Sequence, residues 1–352
     1  MREMKDSGIE WAGVIPNTWN INKGKYFMEL LTRPTLETDE VITCFRDGEV
    51  TLRSKRREEG FTVSLTEAGY QGIEIGDLVV HGMDGFAGSI GISDSRGKAT
   101  PVLNVLDTEQ NKRYMMYLMR TMAYCELFLS LATGIRVRTC DTNWKKLREI
   151  DYILPTIPEQ KAIADFLDEQ CAEIDSLISD IQSQIEALEE YKRSVITEAV
   201  TKGLDPDVEM RDSGVQWIGM MPTHWDCQRG KYLLRYVQKP VRDDDGVITC
   251  FRDGEVTLRS NRREEGFTMA DKEIGYQGID VGDLVVHGMD GFAGSIGISD
   301  SRGKASPVLN VLDTEQNKRY IMYYLRSMAY NDVFVALATG IRVRSCDLRW
   351  NK

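Results

Sequence analysis

Two stretches of this sequence of 352 residues are nearly the same, and this repeat constrains the fold more than any other feature. Residues 41–146 align with residues 247–352 at an offset of 206, with 22 differences in 106 positions, which leaves 84 identities. Stretches this similar adopt the same structure, and each is long enough to bury its own core. The sequence therefore predicts two copies of one domain.

The segments that precede the two copies have diverged further and keep mainly their aromatic and turn residues. Trp11 and Trp19 correspond to Trp217 and Trp225 at the same offset. Aromatic residues that alternate with turn residues are typical of an edge segment whose indoles pack on a β-rich core. A platform on which bases stack is the alternative.

A helical pattern without a break fills residues 156–203, between the copies. Thr156 and Glu159 form a capping box, and Lys202 followed by Gly203 is typical of a helix end. At 1.5 Å per residue, about 46 helical residues span about 70 Å, so we predict a spacer helix. Heptad-spaced apolar residues predict a seam for a partner helix: Leu167, Ile174, Ile178, Ile181, Ile185, Leu188 and Val195. The alternative is a helix folded back on its own domain.

Composition and charge place the chain among cytoplasmic proteins. It has 42% hydrophobic and 28% charged residues, with no apolar run long enough to span a membrane and no apolar signal-peptide core. The net charge of −11 is concentrated in residues 156–202, where 11 acidic residues face 4 basic ones. Residues 1–146 carry 20 acidic and 19 basic residues, so the first copy is near neutral and can present a basic face. The seven cysteines show no metal spacing and are expected to be reduced.

Clustered basic residues are the candidates for contact with DNA, because the planar fork of arginine can bind phosphate or guanine bidentately. In the first copy they are Arg53, Arg56, Arg57, Arg96, Lys98, Arg136 and Arg138, and in the second Arg259, Arg262, Arg263, Arg302, Lys304, Arg342 and Arg344. Arg136 and Arg138 share one face of a predicted strand. Because Glu58 and Glu59 follow the first cluster, a solvated, salt-bridged loop is the alternative there.

Two short strands, residues 41–45 and 49–53, are predicted to form a hairpin around the Asp-Gly turn at Asp47. From Asp107 to about Leu131 the apolar spacing predicts a helix capped by Asp107 and Gln110.

Catalytic signals are weak. His81 lies near Asp84 and Ser89, so a duplicated hydrolase that uses His81 and His287 is a competing interpretation, but no nucleophile elbow marks it. Neither a nucleotide-binding loop nor a metal cluster is present in the sequence. A structural histidine, in a protein that binds and positions without catalysing, is favoured.

Three motifs resemble the specificity subunit of type I restriction–modification systems: L-P-T-I-P-E-Q-K-A-I-A-D-F-L-D at 154–168, E-Y-K-R-S-V-I-T-E-A-V-T-K-G at 190–203 and W-I-G-M-M-P-T-H-W at 217–225. The resemblance implies an α+β chain with two near-identical β-rich target-recognition domains, at 1–155 and 206–352. A long coiled-coil-type helix at 156–205 joins them. It also implies a non-catalytic protein whose two domains each read half of a split site in double-stranded DNA.

The expected partners are methyltransferase and restriction subunits, which would bind S-adenosylmethionine and ATP, so this chain is expected to bind no cofactor or metal. Members of the family follow the second domain with a second long helix, whereas this sequence stops at Lys352. We therefore expect a second copy of the chain, a separately encoded fragment or a methyltransferase subunit to fill the seam. The resemblance also implies that an approximate two-fold relates the two domains, so near-identical domains are expected to recognise an inverted-repeat site with an unread spacer. The alternative is a truncated scaffold or inactive fragment that binds methyltransferase subunits only.

Overall fold

The computed structural model describes residues 2–56, 68–130, 142–262 and 274–336. It divides into two units, Met1–Ile178 and Ser179–Lys352. No described helix is long and apolar enough to cross a membrane.

The first unit combines short strands with a few helices. Its strands are β1 (Met4–Asp6), β2 (Val14–Pro16), β3 (Asn20–Lys23), β4 (Met28–Leu31), β5 (Ile42–Cys44), β6 (Val50–Leu52), β7 (Gln71–Ile73), β8 (Leu78–His81), β9 (Ile90–Ile92), β10 (Gly97–Ala99), β11 (Leu103–Thr108) and β12 (Asp151–Leu154). Its helices are α1 (Arg53–Arg56), α2 (Lys112–Tyr124), α3 (Leu127–Ser130), α4 (Trp144–Leu147) and α5 (Ile157–Lys202), the last of which continues into the second unit.

A four-stranded antiparallel sheet in the order β4-β11-β8-β9 forms the centre of this unit. The other described strands of this unit form four two-stranded pairs: β1–β2, β3–β12, β5–β6 and β7–β10. Residues of β8 are buried on both faces of the sheet: Leu78 and Val80 pack in the cluster that contains α2, whereas Val79 packs with the β5–β6 hairpin. Successive side chains of a strand point to opposite faces of the sheet, so a strand that is buried on both faces needs apolar residues at every position.

The predicted β5–β6 hairpin is confirmed, with Thr43 opposite Thr51 and Gly48 at a φ of +86° in the turn. Trp11 packs against the core cluster around α2, in agreement with the core-packing interpretation.

The predicted start of the helix after residue 107 is wrong. Asp107 lies in β11, which pairs with both β4 and β8, so the central sheet overrides the capping pattern. The helix begins at Lys112, and the Asn111 side chain caps it by accepting a hydrogen bond from the Tyr114 N–H. It ends at Tyr124, where Glu126 adopts a φ of +59° before α3 begins. Leu131 lies outside the described residues.

The long helix is confirmed as α5. The Thr156 N–H donates to the Glu159 carboxylate at 3.2 Å, which is one half of the predicted capping box. Gly203 follows the last turn with a φ of +82°, a conformation that favours glycine and ends the helix.

The second unit repeats the first. Its strands are β13 (Met210–Asp212), β14 (Met220–Pro222), β15 (Arg235–Tyr236), β16 (Ile248–Cys250), β17 (Val256–Leu258), β18 (Gln277–Ile279), β19 (Leu284–His287), β20 (Ile296–Ile298), β21 (Gly303–Ala305) and β22 (Leu309–Asp313). Its helices are α6 (Gly230–Leu233), α7 (Lys318–Tyr330) and α8 (Val333–Ala336). The sheet order β15-β22-β19-β20 matches that of the first unit strand for strand.

Candidate nucleic-acid interface and partner helix

Arg46 is the most exposed arginine of the β5–β6 turn, with 71% of its side chain accessible. Its guanidinium donates to the Asp84 carboxylate at 3.1 Å. In the second unit Arg252 occupies the same place, is 73% accessible and lies 3.4 Å from Asp290. Sequence reasoning treated Arg46 only as part of a turn. A cation placed directly before an Asp-Gly turn is the signal that could have found it.

Arg56 is the last residue of α1, which directly follows the β5–β6 hairpin. Its guanidinium carbon stacks 4.3 Å from the centre of the Phe45 ring, and it forms ion pairs with Asp47 and Glu49. Arg262 repeats these contacts in the second unit, stacking at 4.3 Å on Phe251. The stacking orients a planar, charged fork on a surface that solvent can reach.

Together these residues define what we call the hairpin face. It comprises Arg46, Arg56, His81 and Asp84 in the first unit and Arg252, Arg262, His287 and Asp290 in the second. In the second unit this face borders an open cavity of about 750 Å³. The cavity is wide enough for a ligand larger than water and carries two arginines at its edge.

The other predicted cations differ in their surroundings. Arg53 Nε donates to the Thr43 hydroxyl at 3.3 Å, and Arg259 donates to Thr249 at 3.4 Å. Lys98 lies in β10 opposite Gly72, and Lys304 repeats this position in β21. Six predicted residues lie outside the described residues: Arg57, Arg136, Arg138, Arg263, Arg342 and Arg344.

Arg96 forms ion pairs with two carboxylates of its own unit. Its Nε donates to Asp39 at 3.1 Å, and it also pairs with Glu74. Asp39 is 3% accessible, so removing Arg96 would leave a buried carboxylate without its cation. These contacts favour a structural role for Arg96 over contact with DNA.

Arg302 repeats this arrangement with Asp245 and Asp280. Its hydrogen bonds hold the pKa of Asp245 below the usual range. Hydrogen bonds from Lys239 and Arg302 lower the pKa of Asp280 to about 2.

Replacing Arg302 by Met is expected to lower the free energy of unfolding by about 2 kcal/mol, because Asp245 is left buried and unpaired. At pH values above the ordinary aspartate pKa of about 4, the variant should show the whole of this loss in the free energy of unfolding. It should diminish as the pH falls toward the Asp280 value of about 2, since protonated carboxylates no longer need the cation. Thermal melts at several pH values measure both effects. Arg252→Met, on an exposed pair, is the matched control and should melt like the parent. A loss that does not depend on pH would contradict the ion-pair explanation.

His81 is held as a turn residue. Its Nδ1 accepts hydrogen bonds from the N–H groups of Met83, at 3.2 Å, and Asp84, at 3.0 Å. Burial lowers the pKa of His81, so the ring is neutral near pH 7. The buried Ser89 hydroxyl has no hydrogen-bond partner among the described residues, so it is not activated by His81. The described residues also contain no group of three or more metal-ligating side chains placed to hold an ion. The geometry does not support the hydrolase interpretation.

The described cysteines are free thiols, in agreement with the prediction: Cys44, Cys125, Cys171, Cys227 and Cys250. Burial raises the pKa of Cys44 to about 12, which makes it an inert core residue.

The predicted seam lies exposed along α5. Ile181 and Leu188 are 55% and 65% accessible, and Leu167 is half-buried where the helix enters the first unit. The remaining seam residues are exposed: Ile174, Ile178, Ile185 and Val195. Because these side chains are exposed, this part of α5 is not packed against its own domain. The alternative prediction of a helix folded back on its domain is therefore wrong for these residues.

The start of α5 is attached to the first unit through polar contacts. Arg113 donates to Asp165 at 2.5 Å and also pairs with Asp168. The Tyr117 hydroxyl donates to Asp168 at 2.7 Å. The exposed apolar stripe beyond these contacts is typical of a helix that binds a partner.

Comparison with known proteins shows what this architecture is similar to. No family model matches the chain. Over 129 residues the chain is 30% identical to the putative type I restriction enzyme MjaX specificity subunit of Methanocaldococcus jannaschii, a match that takes in 35% of this chain and 28% of that protein. Over that stretch the chain is similar to a type I specificity subunit. It spans less than a third of the length of this curated relative.

Two solved structures align with most of the chain. One, described as the structural basis of complex assembly and conformational transition of the type I R-M system, covers 89% of this chain and 80% of its own, with a TM-score of 0.51 and 10% identity. The other, the HsdS subunit from Thermoanaerobacter tengcongensis, covers 97% of this chain and 85% of its own, with a TM-score of 0.48 and 10% identity. The first match shows an α+β fold shared with a protein of the type I systems.

Proposed function

We propose that this chain is the non-catalytic DNA-recognition subunit of a type I restriction–modification complex, in which each unit reads one half of a bipartite site. The relationship to a specificity subunit supports the class of protein. The observation that carries the proposal is the repetition of the hairpin face, with the same arginines, acids and stacking ring in both units.

Ion pairs on this face do not prevent contact with DNA. Exposed pairs such as Arg46–Asp84 contribute about 0–1 kcal/mol, so a phosphate or a guanine edge can displace the carboxylate. A ligand that displaces the nearby carboxylate without making hydrogen bonds to the guanidinium in its place is disfavoured, which favours specific over non-specific binding. Two equal faces would read the same bases, and if they meet DNA about a two-fold axis they would read an inverted repeat.

The partners in this proposal are methyltransferase subunits, with restriction subunits joining them. The apolar seam of α5 supplies a surface for such a partner, or for a second copy or a separate fragment of the same kind. S-adenosylmethionine and ATP would be bound by the partner subunits.

Mapping methylated sites tests the proposal. The chain is co-expressed with its methyltransferase partner on a library of random DNA, and a single inverted-repeat motif with an unread spacer is the expected result. An asymmetric motif would contradict equal reading by the two units. Partner binding without methylation would support the competing scaffold function.

Replacing Arg46 by Ala is expected to relax one half-site of that motif, and replacing Arg252 by Ala the other. Loss of a bidentate base contact costs about 1–3 kcal/mol at one position. The motif in the library and the affinity for half-site variants measure this effect. Arg46→Lys keeps the charge without the fork, so it serves as the matched control. If the lysine variant behaves like the parent, Arg46 contacts phosphate and not a base, and if both alanine variants leave the motif unchanged, the hairpin face does not read DNA.

A further inference from the structure

Arg46 and Asp84 form an open ion pair on the hairpin face. Nη2 of Arg46 donates to Oδ1 of Asp84 at 3.1 Å, and both side chains are accessible to solvent. Arg252 and Asp290 repeat the contact at 3.4 Å in the second unit. The contact uses one of the five N–H donors of the guanidinium and one of the two carboxylate oxygens. It leaves further donors and an acceptor, side by side, for a ligand.

Arg56 is engaged differently. Its Nη1 donates to Oδ1 of Asp47 at 2.9 Å, its Nη2 donates to the other oxygen of the same carboxylate, and Nη1 also lies 3.0 Å from Glu49. The second unit repeats these contacts. Bidentate pairs of an arginine with a carboxylate are among the strong hydrogen-bonded contacts of proteins. A base would have to break two such bonds to reach Arg56, so Arg46 is the more available cation of this face.

The backbone of Asp84 is fixed by three hydrogen bonds. Its N–H donates to Nδ1 of His81 at 3.0 Å, and its carbonyl accepts from the N–H groups of Ala87, at 2.9 Å, and Ser89, at 3.3 Å. The same three contacts recur around Asp290. His81 is the last residue of β8, so these bonds tie the residue that carries the carboxylate to the central sheet.

The turn that carries Arg46 is held in place as well. Arg120 of α2 lies directly against Gly48, because a Cβ there would overlap the guanidinium, and its Nε donates to the Ile90 carbonyl at 2.8 Å. The backbone of Gly88 also lies close to this turn, since a Cβ there would lie 3.1 Å from the Arg46 carbonyl oxygen. Both members of the ion pair are therefore preorganised, which lowers the entropy lost when they bind a ligand.

A donor beside an acceptor matches one base pair in the major groove. Guanine presents the acceptors N7 and O6, and cytosine presents the N4 amino donor. O6 and N4 are hydrogen-bonded to each other, so they lie about 2.9 Å apart, which is close to the 3.1 Å between Arg46 and Asp84. An A·T pair instead presents the N6 donor on adenine and the O4 acceptor on thymine. It would set a donor against the arginine and an acceptor against the carboxylate.

We infer that the Arg46–Asp84 pair reads a G·C base pair, in which the arginine donates to N7 and O6 of guanine and the aspartate accepts from N4 of cytosine. The Arg252–Asp290 pair reads the same base pair in the other half-site. Asp84 and Asp290 are thereby specificity-determining residues. The inference rests on the proposed function and names the base pair that the hairpin face takes.

Replacing Asp84 by Asn tests the inference in the chain co-expressed with its methyltransferase partner, with the map of methylated sites as the readout. The parent should show a G·C pair at the same position of both half-sites. The amide of Asn can donate to O4 of thymine, which removes one of the two conflicts with A·T. The preference for G·C over A·T should fall about tenfold in one half-site and stay unchanged in the other. Adding Asp290→Asn should relax both half-sites.

Base analogues test the two contacts atom by atom, in duplexes that carry the mapped site. 7-Deazaguanine removes the N7 acceptor and 2-pyrimidinone removes the N4 amino group, and each should weaken binding of the parent complex about tenfold. 7-Deazaguanine should have no further effect on the Arg46→Ala, Arg252→Ala complex. 2-Pyrimidinone should have none on the Asp84→Ala, Asp290→Ala complex. The same analogues at an unread spacer position give the baseline.

Asp47→Asn is the matched control, because it makes the same change on the closed pair with Arg56, and its motif should equal that of the parent. Asp84→Asn should melt like the parent, since the three backbone hydrogen bonds of residue 84 do not involve its carboxylate.

Four results would overturn the inference and leave the proposed function standing. They are a motif without a G·C pair shared by the half-sites, a motif that Asp84→Asn leaves unchanged, equal relaxation by Asp47→Asn, and analogue effects that persist in the alanine variants. The absence of any motif would overturn the proposed function and this inference together.

Discussion

Replacing Gly91 by Ala is expected to unfold the first unit at temperatures where the parent is stable. Gly91 lies in β9, and a Cβ there would overlap the Gly48 carbonyl oxygen and lie 2.8 Å from Cγ2 of Val50. Neither neighbour can move easily. β9 is paired with β8, and Gly48 forms the hairpin turn. Backbone overlap in a packed sheet should cost about 3 kcal/mol or more.

Calorimetry combined with limited proteolysis measures this effect and locates it. Cleavage in Gly91→Ala should appear in the first unit, and in Gly297→Ala, whose Cβ would overlap the Gly254 carbonyl oxygen, in the second. Gly230→Ala is the matched control, because the same methyl group meets open space there. A Gly91→Ala chain that melts and resists protease like the parent would show that β9 does not lie against the hairpin as described.

Replacing Ile181 by Asp is expected to weaken partner assembly about a hundredfold or more without destabilising the chain alone. A buried isoleucine contributes about 1.5–3 kcal/mol, and an unpaired carboxylate in an apolar seam adds a further penalty. The chain alone should be unaffected because Ile181 is exposed in it. Size-exclusion chromatography of the co-expressed complex and thermal melts of the isolated chain measure the two effects.

Ser183→Asp is the control for this experiment. It adds the same charge two residues away, on the opposite side of α5, where the helical period carries it off the seam. Equal loss of assembly in both variants would mean that added negative charge on an already acidic helix, and not the apolar stripe, disrupts the complex.

Much of the fold could be predicted from local signals. Repetition at a fixed offset identified the two domains, and the capping box, heptad spacing and final glycine gave α5 within one residue at each end. The start of α2 could not be predicted in this way. Asp107 has a good capping pattern, but pairing of β11 with strands distant in sequence decides its conformation.

The candidate site was less predictable for the same reason. Arg96 looks like an available cation in the sequence, yet Asp39 and Glu74, far from it in the chain, surround its guanidinium. Arg46 looks like a turn residue, yet it is the more exposed cation. Charge is read from sequence, whereas the partner that neutralises it depends on tertiary packing.

The pairing of β3 with β12 has a consequence for biosynthesis. β12 (Asp151–Leu154) is the last strand of the first unit to be synthesised, and it pairs with β3 near the start of that unit. Its synthesis comes immediately before that of α5 and well before that of the second copy of the domain. Domains generally fold in the order of their synthesis, and repeats with 84 identities in 106 positions are prone to exchange strands with one another. We expect the nascent first unit to be sealed before its near-duplicate emerges, so that the timing of translation, and not sequence difference, keeps the two copies from misassembling.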